Sequence, residues 1–277
     1  MKLIPEPTLL LLRRLVVSIE SSGLRGAMVR SYRRLERSLS NHGLGGTLDR
    51  AFHRAPAAAP AARATAPDPF DQQYGTETAK KVFPQSLPDT SLSSLYLSAY
   101  LAVAASAVNG ALTDLRIEKE KFTFLDLGCG KGRALLVAAR FPFRGILGVE
   151  LAPGLCEVAR ANIAKKSEWA SRITVINEDA AKVTYPETPL VVFLFSPFFA
   201  PVLRRVLANL ERQLRRAPRE TYLLYANNPR FTKVLKRFPF LREVWETSYP
   251  LTPEEAAADP SYVEETSVTL YSVDLTR

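Results

Sequence analysis

Three carboxylates and three glycines carry the chemistry that can be read from this chain. Asp126 stands two residues ahead of Gly128-Cys-Gly130-Lys-Gly132, Glu150 follows Gly130 by twenty residues, and Asp179 lies in Asn177-Glu-Asp-Ala180. Alternating glycines let the backbone turn at φ values other residues avoid, and leave no side chain between the main chain and a ligand. A helix opening directly behind them aims unpaired N–H groups and the positive end of its dipole at the same spot, which favours an anionic ligand group. Each carboxylate offers two acceptor oxygens to hydroxyl or amine donors. The set suits a nucleotide-like ligand with both anionic and cationic or hydroxyl groups.

These residues need elements to hold them, and the pattern supplies an alternation. Phe122-Thr-Phe-Leu-Asp-Leu127 reads as a strand and Ala134–Phe141 as the helix behind the glycine turn. Arg144–Leu151 is expected as a second strand carrying Glu150 near its end, Leu155–Lys166 as a helix, and Ile173–Ile176 as a third strand. The unbroken apolar run Pro189–Phe195 has the character of a central parallel strand covered on both faces. A helix from Val202 to Leu214, a strand at Thr221–Ala226 and a helix after Asn227-Asn-Pro229 continue the series. Leu241–Tyr249 and Thr266–Leu275 are expected as two final strands joined by an acidic loop, Pro253–Glu265. Ahead of the first strand, Leu92, Leu95, Tyr96, Ala99 and Val103 share a helical face, with Gly110 as the stop and Tyr96 and Tyr100 as packing residues. Such alternation predicts an α/β fold, a doubly wound and mostly parallel sheet with right-handed crossovers.

The segment Asp126-Leu-Gly-Cys-Gly-Lys-Gly132 resembles motif I of the class I S-adenosylmethionine-dependent methyltransferases. Arg133 at the sixth loop position departs from the G-x-G-x-x-G of nicotinamide-nucleotide enzymes, and Gly132 after Lys131 departs from a P-loop. The resemblance implies a Rossmann-like core of seven strands with an antiparallel last strand, and S-adenosylmethionine as cofactor. It assigns cofactor binding to Asp126, Gly128, Gly130, Gly132, Glu150, Asp179 and Ala180. Glu150 would accept from both ribose hydroxyls, and Asp179 would hold the adenine amine, with Glu178 as the neighbouring competitor. Ser196-Pro-Phe-Phe199 stands where the family places motif IV beside the transferring methyl group. Ser196 replaces the usual Asn or Asp and Phe198 the second Pro, so the match is partial and counts against methylation of a base amine. Ser196, Pro197, Phe198 and Tyr74 are the catalytic candidates, and Tyr74, Gly75 and Thr76 are also candidates for a lid. An ordinary turn is as good a reading of that last segment. Non-SET protein-lysine methyltransferases share the D-x-G-x-G-x-G loop and the strand-two Glu, which makes a protein lysine the leading acceptor and a small molecule the next.

Both histidines, His42 and His53, precede the expected catalytic domain, so a base would be Glu178, Tyr74 or Tyr225. No His, Cys and carboxylate spacing suggests a metal site. Two cysteines, Cys129 and Cys156, without a disulfide context point to a reducing compartment, with the cytoplasm expected. No apolar run reaches membrane-spanning length and no secretory signal is expected, although the Arg-rich, acid-poor first sixty residues share the character of a mitochondrial presequence.

The 277 residues carry a formal charge of +9, and residues 1 to 66 hold seven of it, with eleven Lys and Arg against four Asp and Glu. Within them, Leu24, Met28, Tyr32, Leu35 and Leu39 alternate with arginines as in a basic amphipathic helix. Contact with a partner protein, an anionic membrane or a nucleic acid competes there with local packing under a solvated basic face. The expected organisation is a basic helical extension over 1–54, an Ala/Pro-rich linker over 55–69 and a methyltransferase domain over 70–277, its cofactor-binding core at about 120–227. The alternatives are an RNA methyltransferase using the basic region, a tethering protein whose core binds cofactor without turnover, and a nicotinamide-nucleotide oxidoreductase.

Overall fold

A computed structural model describes residues 66–82, 100–195, 198, 200–226, 234–258 and 265–276. The basic helix over 24–39, most of the Ala/Pro tract, Ser196, Pro197 and the turn at 227–229 lie outside the described residues. Strands form where the apolar and β-branched runs lie: β1 Thr123–Leu127, β2 Gly145–Glu150, β3 Ile173–Asn177, β4 Leu190–Phe195, β5 Thr221–Ala226, β6 Leu241–Pro250 and β7 Glu265–Val273. They make one sheet in the order β3-β2-β1-β4-β5-β7-β6. The first five are parallel, β7 runs against β5, and β6 runs against β7. This is the expected doubly wound, Rossmann-like sheet with its single reversed strand. β1 is buried throughout and β4 in all but its last residue, as strands covered on both faces must be.

The described helices are α1 Pro69–Tyr74, α2 Ala105–Asp114, α3 Arg133–Ala138, α4 Pro153–Ala164, α5 Ser167–Ala170, α6 Ala200–Arg216 and α7 Pro253–Ala258. In α6, Val202, Leu203, Val206, Leu207, Leu210 and Leu214 are buried, an apolar stripe at steps of three and four. Because β1 to β5 are parallel, Leu127, Glu150, Asn177, Phe195 and Ala226 end at one edge of the sheet. β6 runs in the same direction, so the connection from Pro250 to its partner Glu265 springs from that edge as well.

Three expectations change. Of the helical face expected ahead of β1, Leu92, Leu95, Tyr96 and Ala99 lie outside the described residues and Val103 is not helical; Gly110 is not a stop, since α2 begins at Ala105 and runs through it. A Cβ on Gly110 would collide with the Tyr249 ring of β6, so this glycine permits close packing of helix on sheet rather than ending the helix. Tyr100 lies outside α2 in an isolated antiparallel bridge to Val82. The acidic connection holds α7, whose start is a reciprocal capping pair: Glu255 N–H donates to Thr252 Oγ1 at 3.2 Å and Thr252 N–H donates to Glu255 Oε2 at 3.0 Å. The last residues assigned to the linker belong to the folded part, since Asp68 caps α1 by accepting from Asp71 N–H and Pro69 is its first residue.

Candidate functional site

The sheet edge gathers the glycine turn and the acidic strand ends. Gly128, Gly130 and Gly132 have φ of 90°, 53° and 86°, left-handed values that explain why glycine stands at alternate positions. The turn is bonded to β2, with Gly128 N–H and Cys129 N–H both donating to Val149 O at 2.7 and 3.1 Å. Glu150 is buried and takes one main-chain donor on each oxygen, Gly130 N–H on Oε2 at 3.0 Å and Ala152 N–H on Oε1 at 2.8 Å. The Leu151 N–H also favours its charged form, and the carboxylate keeps acceptor capacity beyond its hydrogen bonds to Gly130 and Ala152.

Asp126 is buried in β1 with Gly148 and Phe193 as its strand partners. Burial holds its carboxyl well above the usual carboxylate range, and the charge of Glu150 pushes it higher. Glu150 is raised by burial too, while the N–H groups of Ala152 and Gly130 pull it back. Among the described residues no Lys or Arg forms an ion pair with either of them. Two buried carboxylates at close quarters without a cation are costly to ionise, and a cationic ligand group would relieve that cost.

Asp179 stands two residues past the end of β3. Its Oδ1 accepts from Ala181 N–H at 2.9 Å, and Oδ2 faces Arg205 of α6 at 3.5 Å and Lys182 at 4.0 Å. Glu178 is exposed, Asp179 is partly covered and Ala180 is buried. The edge itself is tied together by Asn177, whose Nδ2 donates to Glu150 O at 2.9 Å and Leu151 O at 2.8 Å. Phe198 is buried beyond β4, and Tyr225 is buried in β5.

Tyr74 is not gathered with this group. Its ring packs on Phe70 at 4.6 Å and Trp169 at 5.8 Å, with Lys166 Nζ 5.1 Å from its centre. Gly75 ends α1 in a left-handed conformation and gives its carbonyl to Lys165 Nζ at 2.9 Å, and Thr76 Oγ1 donates to Asp71 at 2.7 Å. The segment is thus fastened onto α4 and α5.

Sequence reasoning missed the residues that fasten it to the glycine turn. Lys131, almost fully buried, pairs with Glu77 at 2.6 Å. Asn162 of α4 accepts from Glu77 N–H at 2.9 Å and donates to Glu77 O and Lys131 O at 3.2 and 3.1 Å. The only signal available beforehand was a lysine and an arginine within a glycine turn, and nothing in the spacing named their partners.

The donors and acceptors here match the chemistry of S-adenosylmethionine: spare acceptor capacity on Glu150 for hydroxyls, and carboxylates with no cationic partner among the described residues for ammonium and sulfonium charge. Residues 124–217 match a family model described as methyltransferase domain. Solved structures with a similar course include magnesium protoporphyrin IX methyltransferase from Synechocystis PCC 6803 with bound S-adenosylmethionine, at 10% identity over 61% of this chain and 79% of that one, TM-score 0.46. Others are a SAM dependent methyltransferase from Aquifex aeolicus, at 12% identity over 61% and 92%, TM-score 0.45, and TrmN from Thermus thermophilus, at 17% identity over 60% and 48%, TM-score 0.44. No curated protein matches the chain.

Proposed function

We propose, on the premise that this chain carries a class I, S-adenosylmethionine-dependent methyltransferase domain, that it transfers the methyl group to an amine nitrogen, a protein lysine side chain before a small molecule. The observation that carries the cofactor half of this reading is the buried pair Asp126 and Glu150 without a cationic partner among the described residues. In this reading Glu150 takes the ribose hydroxyls on its remaining lone pairs, and Asp179 takes the adenine amine beside buried Ala180. The bare backbone of Gly128, Gly130 and Gly132 lets the ligand approach closely.

When bound, the cofactor supplies an electrophilic methyl group on a sulfonium, already a good leaving group. What remains for the protein is alignment of the nucleophile with that carbon and exclusion of water. Phe198, with Ser196 and Pro197 beside it in sequence, stands at the end of β4 where an acceptor would be aligned. An amine must lose one proton, which solvent can take; Glu178 is exposed at the same edge, but it follows β3, three strand positions from β4. The sequence from Pro253 to Glu265, which springs from this edge, holds five carboxylates and no Lys or Arg. A field of that sign favours approach of a cationic acceptor such as a lysine side chain.

The test is incubation of the full chain with cell extract and methyl-labelled S-adenosylmethionine. The expected label is in protein, released on hydrolysis as methyl-lysine. The net +7 of residues 1 to 66 favours a second reading, with RNA as acceptor, and label in RNA would support it. Cofactor binding with no label in any fraction would leave a tethering protein.

A further inference from the structure

We infer that Arg133 is a positioning residue: it clamps the arm Asp68–Ala79 against the glycine turn and thereby holds the turn in its ligand-binding shape. The inference rests on the cofactor reading above for its consequence, but its geometry is independent of that reading. Arg133 follows Gly132 directly, and its side chain is only 3% exposed. Its Nε donates to Thr78 Oγ1 at 2.7 Å and its Nη1 to Val103 O at 3.3 Å. Its Nη2 pairs with Asp68 at 2.8 Å and stands 3.9 Å from Asp71, and the guanidinium lies 5.2 Å over the Phe70 ring. A planar fork that donates to a hydroxyl and a carbonyl while its third nitrogen, buried without a hydrogen-bond partner, is paired by charge with a carboxylate is a task lysine cannot repeat.

The arm is itself organised by the same node. Asp71 accepts from the hydroxyls of Thr76 and Thr78 at 2.7 Å each and from the N–H groups of Thr78 and Ala79 at 2.8 Å. Burial pushes its carboxyl up, yet these donors outweigh it and hold Asp71 below its ordinary value. Tyr100 then closes the contact from above, its hydroxyl donating to Thr78 O at 2.7 Å and its ring lying where a Cβ on Gly130 would collide. Lys131 reaches the same arm through Glu77.

Glycine permits positive φ without enforcing it. Three such residues in five therefore leave the turn to its contacts: main-chain N–H bonds to Val149 and Glu150 hold it from β2, and on its other side Lys131 and Arg133 spend their side chains on the arm. The arm is accordingly part of the site although the matched family region begins at Phe124, more than forty residues after it.

The test uses the full chain and the variants Arg133→Met, Arg133→Lys and Thr78→Val, with Thr78→Val keeping the question open to measurement if Arg133→Met does not fold. Hydrogen exchange without cofactor should show residues 71–79 and 128–132 losing protection together. Calorimetry should show S-adenosylmethionine binding weakened by about tenfold or more in Arg133→Met, and by less in Arg133→Lys. An arm that loses protection while the turn keeps it and binding stays at the parent's level would overturn the inference. If the folded parent binds no S-adenosylmethionine, the cofactor reading fails, and the exchange coupling alone still decides for or against the clamp.

Discussion

Asp126 and Glu150 show what a single side chain contributes here and what it costs. Both carboxyls are raised by burial, so between the ordinary unfolded carboxylate value and the raised folded value the native state binds more protons than the unfolded chain. Stability of the ligand-free protein is then greatest at the acid end of that window and is lost as pH rises through it. Asp126→Asn removes part of that dependence. We predict that it makes the ligand-free protein more stable at neutral pH, on the order of 1 kcal/mol, with a flatter stability-against-pH slope than the parent in denaturant titrations. An unchanged slope would show that Asp126 is not the group responsible. These carboxylates were legible in the sequence because each sits at the end of its own apolar run. The partners of Arg133 were not, because Asp68, Asp71 and Thr78 lie more than fifty residues away and only the fold brings a buried guanidinium to them.

Elements were legible where periodicity alone decides them and misread where a residue serves a neighbour. The strands β1 to β5 and helix α6 lie within a residue or two of where their apolar patterns put them. Gly110 looked like a helix stop because glycine usually weakens helices, whereas here it makes room for Tyr249. Gly110→Ala, which raises helix propensity, is therefore expected to destabilise the protein by about 1–3 kcal/mol through overpacking. A gain in the denaturation midpoint would contradict that packing. The capping pair of Thr252 and Glu255 is written in the sequence as Thr-x-x-Glu, with Thr252 just ahead of the acidic connection. Glu255 also accepts from Ser106 N–H at 3.1 Å and from Ser106 Oγ at 2.5 Å, which caps α2 at a start where Ala104 offers no side chain. Glu255→Ala removes a cap from two helices at once. It should lower stability by about 1–2 kcal/mol, read by chemical denaturation, and raise exchange at both helix starts, whereas loss confined to α7 would deny the bond to α2.

At the scale of the whole molecule, one topological fact does most of the positioning. Five parallel strands bring Asp126, the glycine turn, Glu150 and Asp179 to one edge, and β7 inserted between β5 and β6 returns an acid-rich connection to it. The alternation of strand and helix was enough to expect this core, while the arm over 68–79 has no periodicity and its place on the glycine turn came only from the structure. The most direct test of the account is calorimetric titration of the full chain with S-adenosylmethionine, set beside Glu150→Ala and Asp179→Ala, with circular dichroism to establish that each is folded. The account predicts binding in the micromolar range for the parent and a loss of about tenfold or more in each variant. A folded parent that takes up no S-adenosylmethionine, or variants that bind it as the parent does, would contradict the assignment of this edge as the cofactor site.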